Sequence, residues 1–308
     1  MLALVVPACT SSAPTGVPKH ATVTVQPANS LADQAVHIDV AGLSAGELAT
    51  VQVTSTDSSA VPWVASARYR ADASGRINLD QAAPLSGSYH GVSGMGLIWS
   101  MHQVSPGSAA AAGEAGYFWS LAEPFRFTVT VTSAGTTVAS TSFQRRFSAG
   151  QLITQQETLQ ANGFIGEFLQ PRDTSVRRPA VLVLGGSEGG LPGILLTGLL
   201  ASHGYAALGV EYFGLPGLPS TLAGIPLEYF AKALRWLAAQ PGVNPAKIAV
   251  LGVSRGSEAA QLLGVHYPGL VHAVIASVPS DAAICSYPGC RGAAWTLNGR
   301  PVPFTKSS

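Results

Sequence analysis

Charge is what this sequence has least of. Lys and Arg number 17 and Asp and Glu 16 in 308 residues, 11% together, with a formal net charge of +1. A chain so sparsely charged has no basic face with which to neutralise a phosphate backbone, so nucleic acid is not an expected partner. Long hydrophobic runs are missing as well. Hydrophobic residues make up 47%, but much of that is alanine. No run of about 18 strongly apolar residues occurs, so nothing in the sequence spans a bilayer as a helix. Cysteine occurs three times, at Cys9, Cys285 and Cys290. With no second pair and no clustered histidines beside them, a metal centre is not expected. Internal repeats and low-complexity tracts are absent too.

The cysteines that are present carry two expectations. Met1-Leu2-Ala3-Leu4-Val5-Val6-Pro7-Ala8-Cys9 is similar to the tail of a bacterial lipoprotein signal, with a small residue before the cysteine that receives the lipid. Residues 1–20 are then signal and tether, and the protein is extracytoplasmic and membrane-anchored through Cys9. The alternative leaves Cys9 an ordinary cysteine and the protein cytoplasmic. Cys285 and Cys290 bracket Ser-Tyr-Pro-Gly, a turn composition that brings two Cβ atoms within disulfide range; two reduced thiols are the alternative.

Two textures divide the rest. From residue 21 to about 150 short stretches alternate small or apolar with polar residues, at Ala21–Val25, Ala35–Val40, Ala49–Thr54, Trp63–Arg70, Phe125–Thr132 and Val138–Phe147. That spacing predicts an all-β sandwich of immunoglobulin-like type. From 151 to 308 strands alternate with helices. Ala180–Leu184 and Ala206–Val210 are continuous apolar runs, and Leu227, Phe230, Ala231, Leu234 and Leu237 recur at helical spacing. Such alternation predicts an α/β domain with a doubly wound, mostly parallel sheet.

The chemistry is concentrated at Lys247–Glu258. The apolar run Ile248–Leu251 leads into Gly252-Val253-Ser254-Arg255-Gly256, a GxSxG sequence, and an alanine- and leucine-rich helix follows. This is the pattern of a nucleophile elbow, a strand-to-helix turn so tight that side chains two before or two after the serine would clash. Ser254 is therefore the expected nucleophile, Gly252 and Gly256 the structural glycines, and the Arg255 amide half of an oxyanion hole. Gly185-Gly186-Ser187-Glu188-Gly189-Gly190 follows an earlier strand. It is neither GxGxxG nor a phosphate-binding P-loop, so no nucleotide cofactor is expected. Its place suits the second oxyanion amide, at Gly186 or alternatively Ser187, with Glu188 only a loop charge.

With these residues in place the chain resembles the acyl-CoA thioesterase and bile acid-CoA:amino acid N-acyltransferase family. The resemblance runs through Ala67–Asp72, Gly94–Met101, the glycine loop, Tyr212-Phe213-Gly214, Ile225–Phe230 and Ser254–Glu258. It implies an immunoglobulin-like domain before an α/β-hydrolase domain, with Ser254 at the family's nucleophile position and an acyl-CoA or other acyl (thio)ester as substrate. Serine there favours hydrolysis, since amino-acid-conjugating members resembling this pattern use cysteine. An elbow serine also needs an acid and a histidine later in the chain. After Ser254 the sequence offers only Glu258, His266, His272 and Asp281, and the resemblance breaks off near Pro301–Phe304. The expectation is an incomplete α/β-hydrolase domain that lacks its last strands, its triad acid and its histidine, and is weak or inactive as it is. A non-catalytic, lipid-anchored acyl-binding protein or gene remnant, and an acyl transferase to amines, are the alternatives.

Overall fold

The computed structural model describes residues 20–104, 124–189 and 194–306. The signal-like segment with Cys9, the tether after it and Gly190 of the glycine loop lie outside them. The chain divides into two compact units, the first passing to the second between Phe143 and Gln144, with Asn29–Gln34 grouped with the second.

Among the described residues, the amino-terminal half is β apart from one short helix. Its strands are β1 (Thr22–Gln26), β2 (Asn29–Leu31), β3 (His37–Ala41), β4 (Leu48–Thr56), β5 (Pro62–Arg70), β6 (Ile77–Asn78), β7 (Ser86–Gly87), β8 (His102–Gln103), β9 (Phe125–Ser133) and β10 (Thr136–Arg146), with helix α1 at Gly96–Trp99. One sheet has the order β1-β3-β6, the other β2-β10-β9-β4-β5-β7 with β8 also on β5. Alternation in the sequence becomes alternation in burial. β1 runs exposed-buried-exposed-buried-exposed, and Ile38, Val40, Val51, Val53, Val129 and Val131 are buried. That is the behaviour of sheets with one face inward. Two of the segments that carry the family resemblance meet here. Tyr69 and Tyr89 share a hydrogen bond of 2.5 Å between their hydroxyls, and Gly96 lies so close under Tyr89 that a Cβ would stand 2.2 Å from its ring.

The second unit contains β11 (Leu152–Glu157), α2 (Leu159–Asn162), β12 (Ile165–Pro171), β13 (Arg178–Leu184), α3 (Ile194–Ser202), β14 (Ala206–Glu211), β15 (Ile225–Pro226), α4 (Leu227–Ala238), β16 (Val243–Val253), α5 (Arg255–His266), β17 (Ala273–Ser277), β18 (Trp295–Leu297) and β19 (Arg300–Pro301). Its main sheet has the order β11-β12-β14-β13-β16-β17. β14, β13, β16 and β17 pair in parallel, while β12 runs antiparallel to β11 and β14. The fold of this half is α/β with a mixed sheet. All six residues of β14 are buried, because helices cover both faces of the central strands. β17, at the edge, is different: Val274 and Ile275 are 39% and 49% exposed.

Strand order also decides where a site can form. From β13 the chain moves to β14 on one side, then returns to place β16 on the other. The loops leaving the carboxyl ends of β13 and β16 emerge side by side at this switch, the position at which open α/β sheets place their ligands. Those loops are the glycine run from Gly185 and the turn at Ser254.

Candidate active site

β16 ends at Val253 and α5 begins at Arg255, so the whole turn is Ser254. Its backbone sits at φ 52°, ψ −119°, a conformation costly for a residue with a Cβ. What enforces it is the closeness of its flanks. A Cβ on Gly252 would stand 2.0 Å from the Gly256 carbonyl oxygen; one on Gly256 would stand 2.2 Å from that of Gly185 and 2.6 Å from that of Leu184. The Ser254 N–H is tied to the carbonyl of Ser277 on β17 at 2.9 Å, and Ser257 donates from its amide to the Ser254 carbonyl at 2.9 Å. With its backbone secured from both sides, the Ser254 side chain is exposed.

The glycine loop comes against this turn. A Cβ on Gly186 would lie 3.1 Å from the Cβ of Ser254. Tyr212, buried, directs its hydroxyl at the carbonyls of Gly185 (2.6 Å) and Gly186 (3.0 Å), and so holds the loop's shape. Burial, then the charges of Glu188 and Glu211, push the Tyr212 hydroxyl far above its ordinary value, so it stays a donor. The loop then turns back on itself, and the Gly186 N–H donates to Glu188 Oε1 at 2.9 Å. The amide expected to serve an oxyanion is thus already engaged, and Glu188 is not the bare loop charge its sequence context suggests.

Arg255 and Glu258 anchor the other side. The Arg255 guanidinium donates to the carbonyls of Ile284 and Cys285, both at 2.9 Å, and its Nε lies 3.2 Å from Glu258 Oε1. Burial presses Arg255 below its ordinary value and the Glu258 carboxylate pushes it back up. Glu258 Oε2 accepts from the indole of Trp295 at 2.9 Å and from the Ile284 amide at 3.1 Å. Cys285 is joined to Cys290 in a disulfide, closing the loop that Arg255 holds.

The two histidines after the elbow are elsewhere. His272 accepts from the amide of Ile248, midway along β16 and six residues before Ser254, roughly 20 Å away along an extended strand. His266 is the last residue of α5, roughly 17 Å from the start of that helix, and both are exposed.

One further acid belongs to the site's surroundings. Glu211, buried at the end of β14, has its carboxyl pushed up to about 8, first by loss of water and then by the charge of Glu188. Folded chains hold this proton at pH values where unfolded chains have released it. Stability therefore falls as pH rises from the ordinary glutamate range and is lowest above about 8. Replacing Glu211 by Gln removes that dependence. Thermal melts from roughly pH 5 to pH 9 should show a smaller decline for Glu211→Gln than for the parent chain. Parallel declines would contradict the assignment.

The sequence places the chain among known proteins. Residues 33–158 match the family described as Acyl-CoA thioester hydrolase/BAAT N-terminal region, and residues 225–288 match BAAT / Acyl-CoA thioester hydrolase C terminal. Acyl-coenzyme A thioesterase 6 of Mus musculus is 31% identical over 256 residues, covering 77% of this chain and 56% of that protein. Mitochondrial acyl-coenzyme A thioesterase 2 of Mus musculus is 29% identical over 280 residues, covering 87% of this chain and 58% of its own length. The chain thus spans a little over half the length of these relatives. Among solved structures, MGS-M1, an alpha/beta hydrolase enzyme from a Medee basin deep-sea metagenome library, aligns with a TM-score of 0.35 and 22% identity over 51% of this chain and 64% of that one. Esterase Est22 aligns with a TM-score of 0.33 and 20% identity over 43% and 47%.

Proposed function

The chain belongs to the acyl-CoA thioester hydrolase/BAAT family, and from that premise we propose that it is an acyl (thio)ester hydrolase acting through Ser254. One observation carries the reading: an exposed serine is held at φ 52° between two glycines whose Cβ atoms the main chain has no room for. The Ser254 hydroxyl attacks the acyl carbonyl and gives up its proton to solvent, an ester to the enzyme forms as the thiolate or alkoxide leaves and takes up a proton, and water then releases the acid and restores the hydroxyl. The amide of Arg255 and one from Gly186 or Ser187 receive the developing oxyanion. Among the described residues of the second unit, the two histidines after the elbow lie away from Ser254, His266 at the far end of α5 and His272 just before β17, so we expect the first step to be slow with these residues alone. An acyl-CoA thioester is the first substrate to test. The disulfide supports an extracytoplasmic setting, where coenzyme A is scarce, so a neutral acyl ester is the second; anchoring through Cys9 belongs to the same reading and rests on the sequence alone. The amino-terminal half we read as an immunoglobulin-like sandwich; its two sheets and the parallel pairing of β2 with β10 support this.

A fluorophosphonate probe tests the reading directly. The label should map to the peptide containing Ser254 and be lost in Ser254→Ala. If neither chain is labelled while a fatty acid still binds, the chain is an acyl-binding protein and not a hydrolase; an amide product with an added amine would identify a transferase.

A further inference from the structure

This inference rests on the serine-hydrolase reading of Ser254 and concerns what the site admits. Glu188 lies two residues beyond the amide it engages, and its carboxylate has a definite place: Oε1 is 2.9 Å from the Gly186 nitrogen. Oε2 is 2.6 Å from the point where a Cβ on Gly186 would be, and the Cβ of Ser254 is 3.1 Å from the same point. The carboxylate and the serine therefore flank one spot on the loop. Of the two loop amides proposed for the oxyanion, Gly186 is the one engaged, and with Gly186 in that role an oxygen that accepts from it beside the nucleophile occupies the position of an acyl oxygen. We propose that Glu188 is a gating residue, whose carboxylate fills the oxyanion hole in the resting chain and must be displaced before an acyl carbonyl or a product carboxylate can bind.

A charged acceptor on an amide makes a stronger bond than a neutral carbonyl does. An ester or thioester oxygen, neutral until it is attacked, is therefore the weaker competitor for Gly186. The gate accordingly sets a preference: it admits acyl groups whose remaining contacts with the site are strong enough to move Glu188 aside. The loop has anchors besides Glu188. Tyr212 holds the carbonyls of Gly185 and Gly186, and the elbow is fixed by its own glycines. The groups around Glu188 agree with a displaceable carboxylate. Glu211 is raised first by burial and then by the charge of Glu188, so two carboxyls share this corner.

Two measurements on the full chain test the gate. Fluorophosphonate labelling of Ser254 should be roughly tenfold to a hundredfold faster in Glu188→Ala, the size of one charged hydrogen bond. Glu188→Gln, whose amide oxygen can still accept from Gly186, should fall between. A rate that is unchanged or slower in Glu188→Ala overturns the proposal, and a slower one points to a carboxylate that takes the serine proton. The second measurement needs no chemistry. Octanoate is titrated into ¹⁵N-labelled protein while the Gly186 amide resonance is followed, and it should shift in Glu188→Ala at concentrations that leave the parent chain unmoved. Equal responses overturn the gate. If no chain is labelled at all, the hydrolase reading falls and the octanoate titration alone decides the gate.

Discussion

Gly256→Ala should lower the melting temperature of the α/β unit by roughly 6–12 °C or abolish its folding, and it should remove labelling at Ser254. The added methyl would stand 2.2 Å from the Gly185 carbonyl oxygen and 2.6 Å from that of Leu184. Both are main-chain atoms at the end of a central strand, which no rotamer change can move. Overpacking a core usually costs about 1–3 kcal/mol because side chains yield; here the backbone of β13 and the elbow must separate, so the upper end or beyond applies. Since domains are stable by only about 5–15 kcal/mol, that is a large share. Gly269→Ala is the control: a Cβ there meets nothing within 4 Å. A Gly256→Ala chain that melts with the control and still labels would show that the turn is not as tight as described.

Glu258→Ala should destabilise the same unit by about 3–5 kcal/mol, the range found when one partner of a buried ion pair is removed. Three groups lose their acceptor at once. The Trp295 indole and the Ile284 amide lose hydrogen bonds, and the buried Arg255 guanidinium loses its neighbouring charge. Trp295 is 1% exposed and is paired through β18 with Ile225 of β15, so the effect should spread to that small sheet. Trp295 fluorescence would report it, and the transition should become less cooperative. Glu258→Gln, which keeps an acceptor of the same shape, should retain part of the stability. If both variants melted like the parent chain, this carboxylate would not be what joins α5 to the last strands.

Much of this was open to reading in the sequence. The apolar run Ala180–Leu184, the helical spacing of Leu227–Leu237 and the change of texture near residue 150 pointed to an α/β half, which the structure has. The elbow was readable because it is local: strand, turn and helix occupy consecutive residues, and the two glycines mark the turn by what they lack. β2 and β11 were missed. Asn29–Leu31 is too short for a period, and Leu152–Glu157 is mostly polar because it lies at the edge of its sheet.

Sequence by itself determined the composition of the site: a serine that the chain must present, a run of glycines that can approach it, and a family whose relatives are named for acyl-coenzyme A. Only the tertiary structure decided how these groups are engaged. Glu188 folds back onto Gly186, Glu258 binds a tryptophan 37 residues away, and Glu211 keeps its proton beside Glu188. The physical reason is that a period or a motif reports neighbours along the chain, whereas hydrogen bonding and loss of water depend on neighbours in space, which the winding of the sheet brings together.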